Sequence, residues 1–407
     1  MKLTISKAME YVMYLYLFVV IVSGSTGTFA VKVVRLLIAA VLVLYLIFGR
    51  SLRFNISSYV VWSTVFFLYC VITCTYAFAR NDSISSTITL FYIVVVNFGI
   101  YQFLSHNLHL IINVMKCIIF SSFAMGLYIY LRYGFLVFFS SRGTATVGAN
   151  LVGFYCVVAT VLSLFIYFYQ GKKILYLFFS MFNFIFMILS ASRKAVIFLP
   201  LFLILYWIFQ SNNPIKLFRN VLIAAFLLVI VWSALKYIPF LYEMVGHRID
   251  GMINGFLGEG DSDGSTATRL SLIEFGMEYF WKRPWFGYGM DGFRSLAAVY
   301  RSWGTAYYAH NNYVELLVDC GIFGTVIYYS LYLKMLVDGI KQIKYKHPIK
   351  LIALAFLLGF LLIEYGMVTY SLAIYQLLLL VFYLILKTRN MPSSFNKVHV
   401  LKKGEVM

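Results

Sequence analysis

The fold class this chain predicts is an all-α polytopic membrane protein of about twelve transmembrane helices, with one large extracytoplasmic loop that contains short amphipathic helices. Three observations predict it. Hydrophobic residues make up 62% of the 407 and charged residues only 12%; a soluble domain cannot hide that much apolar surface, so lipid must be the solvent for most of the chain. The apolar residues run on for about 20 positions at a time, enough to cross a hydrocarbon core of about 30 Å, without the alternation of a barrel strand. Polar residues gather instead in one stretch, 238–312, which holds Glu243, Asp250, Glu259, Asp261, Asp263, Glu274, Glu278 and Asp291 out of fifteen acids in all.

The expected spans lie near residues 8–22, 33–48, 57–79, 86–104, 110–131, 149–169, 174–190, 195–209, 220–237, 313–337, 349–363 and 369–386. The first is expected to be a retained helix, because Ser23–Thr28 is a poor cleavage site and Lys32 and Arg35 lead straight into the next span. A net charge of +18 first suggests nucleic acid, but its placement excludes that class. With the N-terminus inside, Lys2, Lys7, Arg50, Arg53, Lys172, Lys173, Lys216, Arg219, Lys341, Lys344, Lys346 and Lys350 fall in alternate connections, and Lys387, Arg389, Lys397, Lys402 and Lys403 form a tail on the same side. This is the positive-inside pattern, with both termini cytoplasmic, the 238–312 loop outside, and excess charge that orients the protein against anionic lipid.

Within the loop, Gly246–Gly264 is rich in Gly, Asp and Asn and is expected to be irregular. A helix capped by Thr268 is expected to run to Lys282 and stop before Pro284. Leu270, Ile273, Met277 and Trp281 share one side of it, with Phe280, Trp281 and Trp285 at headgroup depth. Gly287–Gly292 then turns the chain back toward the membrane. Its Gly-x-Gly-x-x-Gly spelling is not a dinucleotide loop, because no strand precedes it. Asp261-Ser262-Asp263-Gly264 lacks the further ligands of a calcium loop and reads as a solvated turn. Cys70 and Cys74 are one turn apart without His or carboxylate partners and read as packing residues, as do Cys117, Cys156 and Cys320.

Three arginines, Arg142, Arg193 and Arg269, fall on the outer face, where cations are disfavoured. Such side chains either snorkel to lipid headgroups or bind one specific phosphate through the planar guanidinium fork. His310-Asn311 closes the loop at the mouth of the next span. The imidazole there is either a structural hydrogen-bonding group or a base able to take a proton from a sugar hydroxyl near neutral pH.

Taken together, these residues resemble the O-antigen ligase/O-antigen polymerase superfamily of bacterial membrane glycosyltransferases. The signature is His310-Asn311, nine residues, then Gly321-Ile322-Phe323-Gly324-Thr325-Val326. Ahead of it stand an Arg-led helix at Arg269–Trp281, Pro284 and the Gly287–Gly289 turn; further upstream are Ser192-Arg193 and the Arg142–Asn150 stretch ending in Gly148-Ala149-Asn150. The resemblance covers about Arg142 to Leu333. It divides the chain into N-terminal helices (1–141), a catalytic region (142–337), C-terminal helices (338–386) and a basic cytoplasmic tail (387–407).

The resemblance implies a location in the bacterial cytoplasmic membrane and a donor glycan carried on polyprenyl pyrophosphate. The chain is transferred to an acceptor hydroxyl, with no cofactor and no metal. It implies that Arg193, Arg269 and Arg142 hold the pyrophosphate, that His310 is the base, and that Asn311 and Asn150 position sugar or backbone. The acceptor is a lipid-linked repeat unit in a polymerase, or lipid A core in a ligase. Accompanying proteins are a flippase and a chain-length regulator. The expectation is a polymerase, because Tyr288, Tyr300, Trp303, Tyr307 and Tyr308 offer stacking surfaces to a multi-sugar acceptor. The rival from another class is a transporter for lipid-linked sugar, against which the large outer loop speaks.

Overall fold

Every apolar stretch expected to cross the membrane falls on a helix of the computed structural model, which describes residues 2–23, 29–48, 55–134, 148–211, 213–257, 264–300, 307–389 and 395. In chain order these helices are α1 (Lys2–Ser23), α2 (Phe29–Phe48), α3 (Ser58–Thr73), α4 (Arg80–His106), α5 (Ile111–Tyr133), α6 (Ala149–Tyr169), α7 (Ile174–Leu189), α8 (Arg193–Gln210) and α9 (Pro214–Tyr237). The loop adds α10 (His247–Leu257), α11 (Gly264–Lys282) and α12 (Gly292–Tyr300), and the chain returns through α13 (Asn312–Ile343), α14 (Pro348–Glu364) and α15 (Ala373–Lys387). Arg142, Glu259, Asp261, Asp263, Trp303 and most of the basic tail lie outside the described residues.

The architecture is that of an all-α multi-pass membrane protein. Among the described residues seven helical segments are long and apolar enough to cross a bilayer: Ile5–Ser23, Arg80–His106, Leu108–Tyr133, Ala149–Tyr169, Arg193–Gln210, Pro214–Tyr237 and Asn312–Ile343. Ser58–Thr73, Ile174–Leu189 and Ala373–Lys387 are apolar but shorter. α9 shows what surrounds the bundle: Phe218 and Phe226 are each 66% exposed, and a helix that leaves such groups uncovered needs lipid around it. The protein interior lies instead along α6, α14 and α15, whose side chains are almost continuously buried.

α13 is the axis of the site. It packs against α3, α14 and α15 and also carries α11 and α12. At Gly321 its backbone leaves the helical region (φ 64°, ψ −171°), a conformation open essentially to glycine alone. The carbonyls freed by this kink find partners, as they must inside a membrane. Tyr288 N–H donates to Val318 O at 2.8 Å, Gly289 N–H to Asp319 O at 2.8 Å, and the Tyr69 hydroxyl of α3 to Cys320 O. In return Ile322 N–H donates to Pro284 O at 2.8 Å. A Cβ on Gly321 would lie 2.3 Å from Trp285 O, and one on Gly287 2.5 Å from Val318 O. The Gly287–Gly289 turn and the Gly321 kink are therefore two halves of one backbone clasp.

The loop departs from expectation in three places. α11 begins at Gly264, so Thr268 lies within the helix and is not its cap. His247–Leu257 is helical, not irregular. Ile249 and Ile253 stand one turn apart on α10, and Ile249 is buried against Val196 of α8 and Leu235 of α9, so the apolar spacing outweighs the turn-forming composition. On α11 the buried side is Leu272, Gly276 and Phe280, whereas Trp281 is 70% exposed. Gly276 explains the rotation: a Cβ there would meet Val314 Cγ1 at 2.3 Å, so its absence lets α11 settle on α13. Leu270 and Ile273 are left to line a cavity.

Candidate active site

The α7–α8 turn sets the first cation. Ala191 takes a left-handed conformation (φ 49°), and Ser190 Oγ donates to Met187 O at 2.7 Å. Ser192 precedes α8 and donates its Oγ to Asn150 Oδ1 at 3.3 Å. α6 approaches this turn so closely that a Cβ on Gly153 would lie 2.7 Å from both Ser190 Oγ and Ser192 Cβ. Arg193, the first residue of α8, is thereby held in the interior at 4% exposure. Its Nη1 donates to Thr266 Oγ1 of α11 at 3.1 Å, with both groups buried.

That bond ties the head of α8 to the head of α11. Arg269 follows Thr266 by three residues and lies on the same side of α11. Thr266, Arg269, Arg193, Lys194 and His310 all line one cavity of about 270 Å³. Ile197, Phe198 and Leu201 of α8 and Leu362 and Ile363 of α14 form its apolar walls. Lys194 donates from Nζ to Gly366 O, and a Cβ on Gly366 would press on the lysine stem at 2.7 Å. Arg193 and Arg269, 76 positions apart in sequence, thus share this cavity with His310.

His310 sits in a left-handed conformation (φ 54°) between the loop and α13. Its ring lies against Tyr308, with centroids 4.0 Å apart, and its Nδ1 is buried with no hydrogen-bond partner among the described residues. Burial, followed by the nearby charges of Arg269 and Lys194, pushes the imidazole down to about 3 from its ordinary 6.5. It is therefore neutral at physiological pH, with a lone pair available.

The residues on either side of His310 hold it there. Asn311 caps α13, its Oδ1 accepting from Tyr313 N–H at 3.0 Å and Val314 N–H at 3.1 Å. Ala309 N–H donates to Glu315 Oε2 at 2.5 Å. Asn312 accepts from Thr369 N–H and Tyr370 N–H at 2.8 and 3.1 Å and donates to Tyr329. Tyr329, Tyr332 and Thr369 in turn donate to Glu364. Asp319 accepts from Phe293 N–H of α12 at 2.7 Å and from the Tyr370 hydroxyl at 3.0 Å. Every carboxylate of this buried network is a hydrogen-bond acceptor, which is the condition for keeping such groups away from water.

Sequence reasoning did not assign a role to Lys194, Thr266, Asp319, Glu364 or Gly366. One signal was available: Glu315 and Asp319 stand one helical turn apart in an apolar span, where carboxylates are costly enough to need a reason. Thr266 and Gly366 carried none, because a hydroxyl and a glycine are too common for either to stand out. Among the described residues no three His, Cys, Asp or Glu side chains group closely enough to hold a metal ion.

The site is thus a half-apolar cavity, in a helical membrane protein, on which basic side chains and an imidazole converge. Residues 176–329, from α7 to the middle of α13, match the family model described as O-antigen ligase. The match covers well under half of the 407 residues, and over that segment it supports a likeness to the O-antigen ligase/O-antigen polymerase superfamily. The matched segment contains Arg193, Thr266, Arg269, His310 and both halves of the glycine clasp. No curated protein matches the chain. The likeness supports, in general terms, a function of the O-antigen ligase/polymerase type.

Proposed function

We propose that this protein polymerises polyprenyl-pyrophosphate-linked oligosaccharide repeat units into a surface polysaccharide, an O-antigen or capsule, on the outer face of the cytoplasmic membrane. The observation that carries the reading is the single cavity where Arg193, Lys194 and Arg269 meet His310 above an apolar wall. A lipid pyrophosphate has the same two-part character: a polyanion that needs cations and a hydrocarbon chain that needs Ile197, Phe198 and Leu201. In this reading twelve helices cross the membrane, both termini are cytoplasmic and the α10–α12 loop faces outward, as the Lys and Arg distribution favours.

The chemistry follows from the side chains. An acceptor hydroxyl attacks the anomeric carbon of the donor sugar. The bond from that carbon to the phosphate oxygen breaks, and polyprenyl pyrophosphate leaves with the electron pair. Arg193 and Arg269 neutralise the charge building on the leaving oxygens, each guanidinium offering two donors in a plane. The hydroxyl proton passes to the neutral imidazole of His310 and reaches bulk water after the product departs. Cations that weaken the base in the empty cavity serve a second purpose. Pyrophosphate offsets the charges of Arg269 and Lys194 and so lifts their share of the depression, while burial, the larger cause, still holds the imidazole below its ordinary value.

Polymerase is favoured over ligase by the aromatic surface beside the site. Tyr300, Tyr307 and Tyr308 are 57%, 37% and 41% exposed, respectively, and present ring faces to a multi-sugar acceptor. The test is purified protein with lipid-linked oligosaccharide, with and without a chelator. A ladder of lengthened lipid-linked products, insensitive to chelation, is expected. Label transferred only to added lipid A core makes the protein a ligase, and translocation across vesicles without transfer makes it a transporter.

A further inference from the structure

A second cavity, of about 310 Å³, lies on the other side of Lys194. Its polar lining includes Asn150 of α6, Asp291 and Arg294 at the head of α12, Glu315 of α13, and the hydroxyls of Ser86, Tyr308, Tyr370 and Ser371. Lys194 lines both cavities, while Tyr308 faces the second and its ring neighbour His310 faces the first. The partition between them is thus one lysine and one pair of tilted rings in contact.

The two linings differ in a way that separates ligands. The first cavity has three cations and no carboxylate, which suits a polyanion. The second sets Asp291 and Glu315 against Arg294 and Lys194 and adds one amide and four hydroxyls. A balanced set of donors and acceptors has no preference for phosphate but matches the hydroxyls of a sugar, each of which both donates and accepts. Its volume is at the lower end of the range of about 300–1,000 Å³ typical of small-ligand sites. Tyr308 supplies a ring face on the same wall. Asp291 is fixed by the chain itself: it is left-handed (φ 61°) and its carbonyl accepts from Ser295 Oγ at 3.0 Å.

We propose that this second cavity binds the terminal sugar of the acceptor glycan, so that its attacking hydroxyl meets His310 across the partition from the donor pyrophosphate. Asp291 and Arg294 are then specificity-determining residues that read the hydroxyl pattern of that sugar. A site built on hydrogen bonds to hydroxyls discriminates strongly, because an analogue lacking one leaves a polar group unpaired. The proposal rests on the glycosyltransferase reading above.

The test separates two ligands on full-length protein in lipid nanodiscs. One probe is undecaprenyl pyrophosphate; the other is the repeat-unit oligosaccharide freed by mild acid from lipid-linked material of cells lacking this protein. Arg294→Gln and Asp291→Asn should each weaken oligosaccharide binding about tenfold, the size of one lost hydrogen bond to a charged group. Both should leave undecaprenyl pyrophosphate binding within about twofold, a change below half a kcal/mol. Arg294 is exposed, so its substitution leaves the fold standing. Unchanged oligosaccharide binding in both variants overturns the proposal, as does parallel weakening of both ligands. Wild-type protein that binds the lipid pyrophosphate but no oligosaccharide overturns the acceptor site alone. Wild-type protein that binds neither overturns the glycosyltransferase reading as well.

Discussion

Arg193 and Thr266 offer a quantitative test of how the cation site is built. Arg193→Lys keeps the positive charge but loses the bond to Thr266 Oγ1, 3.1 Å in the parent, and the planar fork that meets a phosphate with two donors. One hydrogen bond to a charged group is worth about 1.5–3 kcal/mol, so transfer should fall about 10- to 150-fold. Thr266→Val keeps the branched shape and removes the acceptor of the same charged bond, costing about 1.5–3 kcal/mol, or roughly 10- to 150-fold. Because the two side chains serve one guanidinium position, the double variant should resemble Arg193→Lys alone and not the product of the two losses. The assay is initial-rate transfer from purified lipid-linked donor at matched amounts of inserted protein. Additivity within about 0.5 kcal/mol means that the residues act independently and that the α8–α11 bond does not orient the arginine. An Arg193→Lys variant at the parental rate removes the phosphate fork altogether.

Three further outcomes follow. His310 is held down to about 3, so kcat/KM, which reports the free enzyme, should show no limb near pH 6.5; Arg269→Gln should raise that limb toward 6.5. The same depression makes the unfolded chain the better proton binder between the two values, so this group's contribution to stability falls as pH drops from about 6.5 toward 3; a limb near 6.5 in the parent enzyme contradicts the cavity's electrostatics. Gly321→Ala forces a side chain into a conformation that costs about 1–3 kcal/mol and against Trp285 O, so it should lower the melting temperature in detergent and abolish transfer. Gly148→Ala, where nothing lies within 4 Å of the added carbon, should not; equal behaviour of the two removes the clasp from the account. Single cysteines placed in α10 to α12 should react with an impermeant reagent in intact spheroplasts, and protection until lysis reverses the topology.

Helical content was legible because continuous apolar runs in a chain this poor in charge have few alternatives. Arg193, Arg269 and His310 stood out by their place at the membrane boundary and by the family resemblance, and the structure brings all three to one cavity. The partners that orient them did not stand out. Thr266 is an ordinary helix residue until α11 is seen against α8, and Lys194 looks like a headgroup anchor until Gly366 makes room for its stem. The face of α11 was misjudged because hydrophobic spacing treats Gly276 as neutral, whereas its missing side chain decides which side touches Val314. The helix over His247–Leu257 was missed for a similar reason: composition outvoted the spacing of Ile249 and Ile253, and only packing on Val196 and Leu235 settles the choice.

The central claim is that His310 takes the acceptor proton in a cavity whose cations hold the donor. Its most direct test is His310→Gln, which keeps size and polarity but has no basic nitrogen. Undecaprenyl pyrophosphate binding and transfer from purified lipid-linked donor are measured on the same preparation. The account predicts binding within a few-fold of the parent and transfer reduced about 10²- to 10⁴-fold, the usual worth of a general base. Transfer at the parental rate makes His310 a structural residue at the mouth of α13 and contradicts the account.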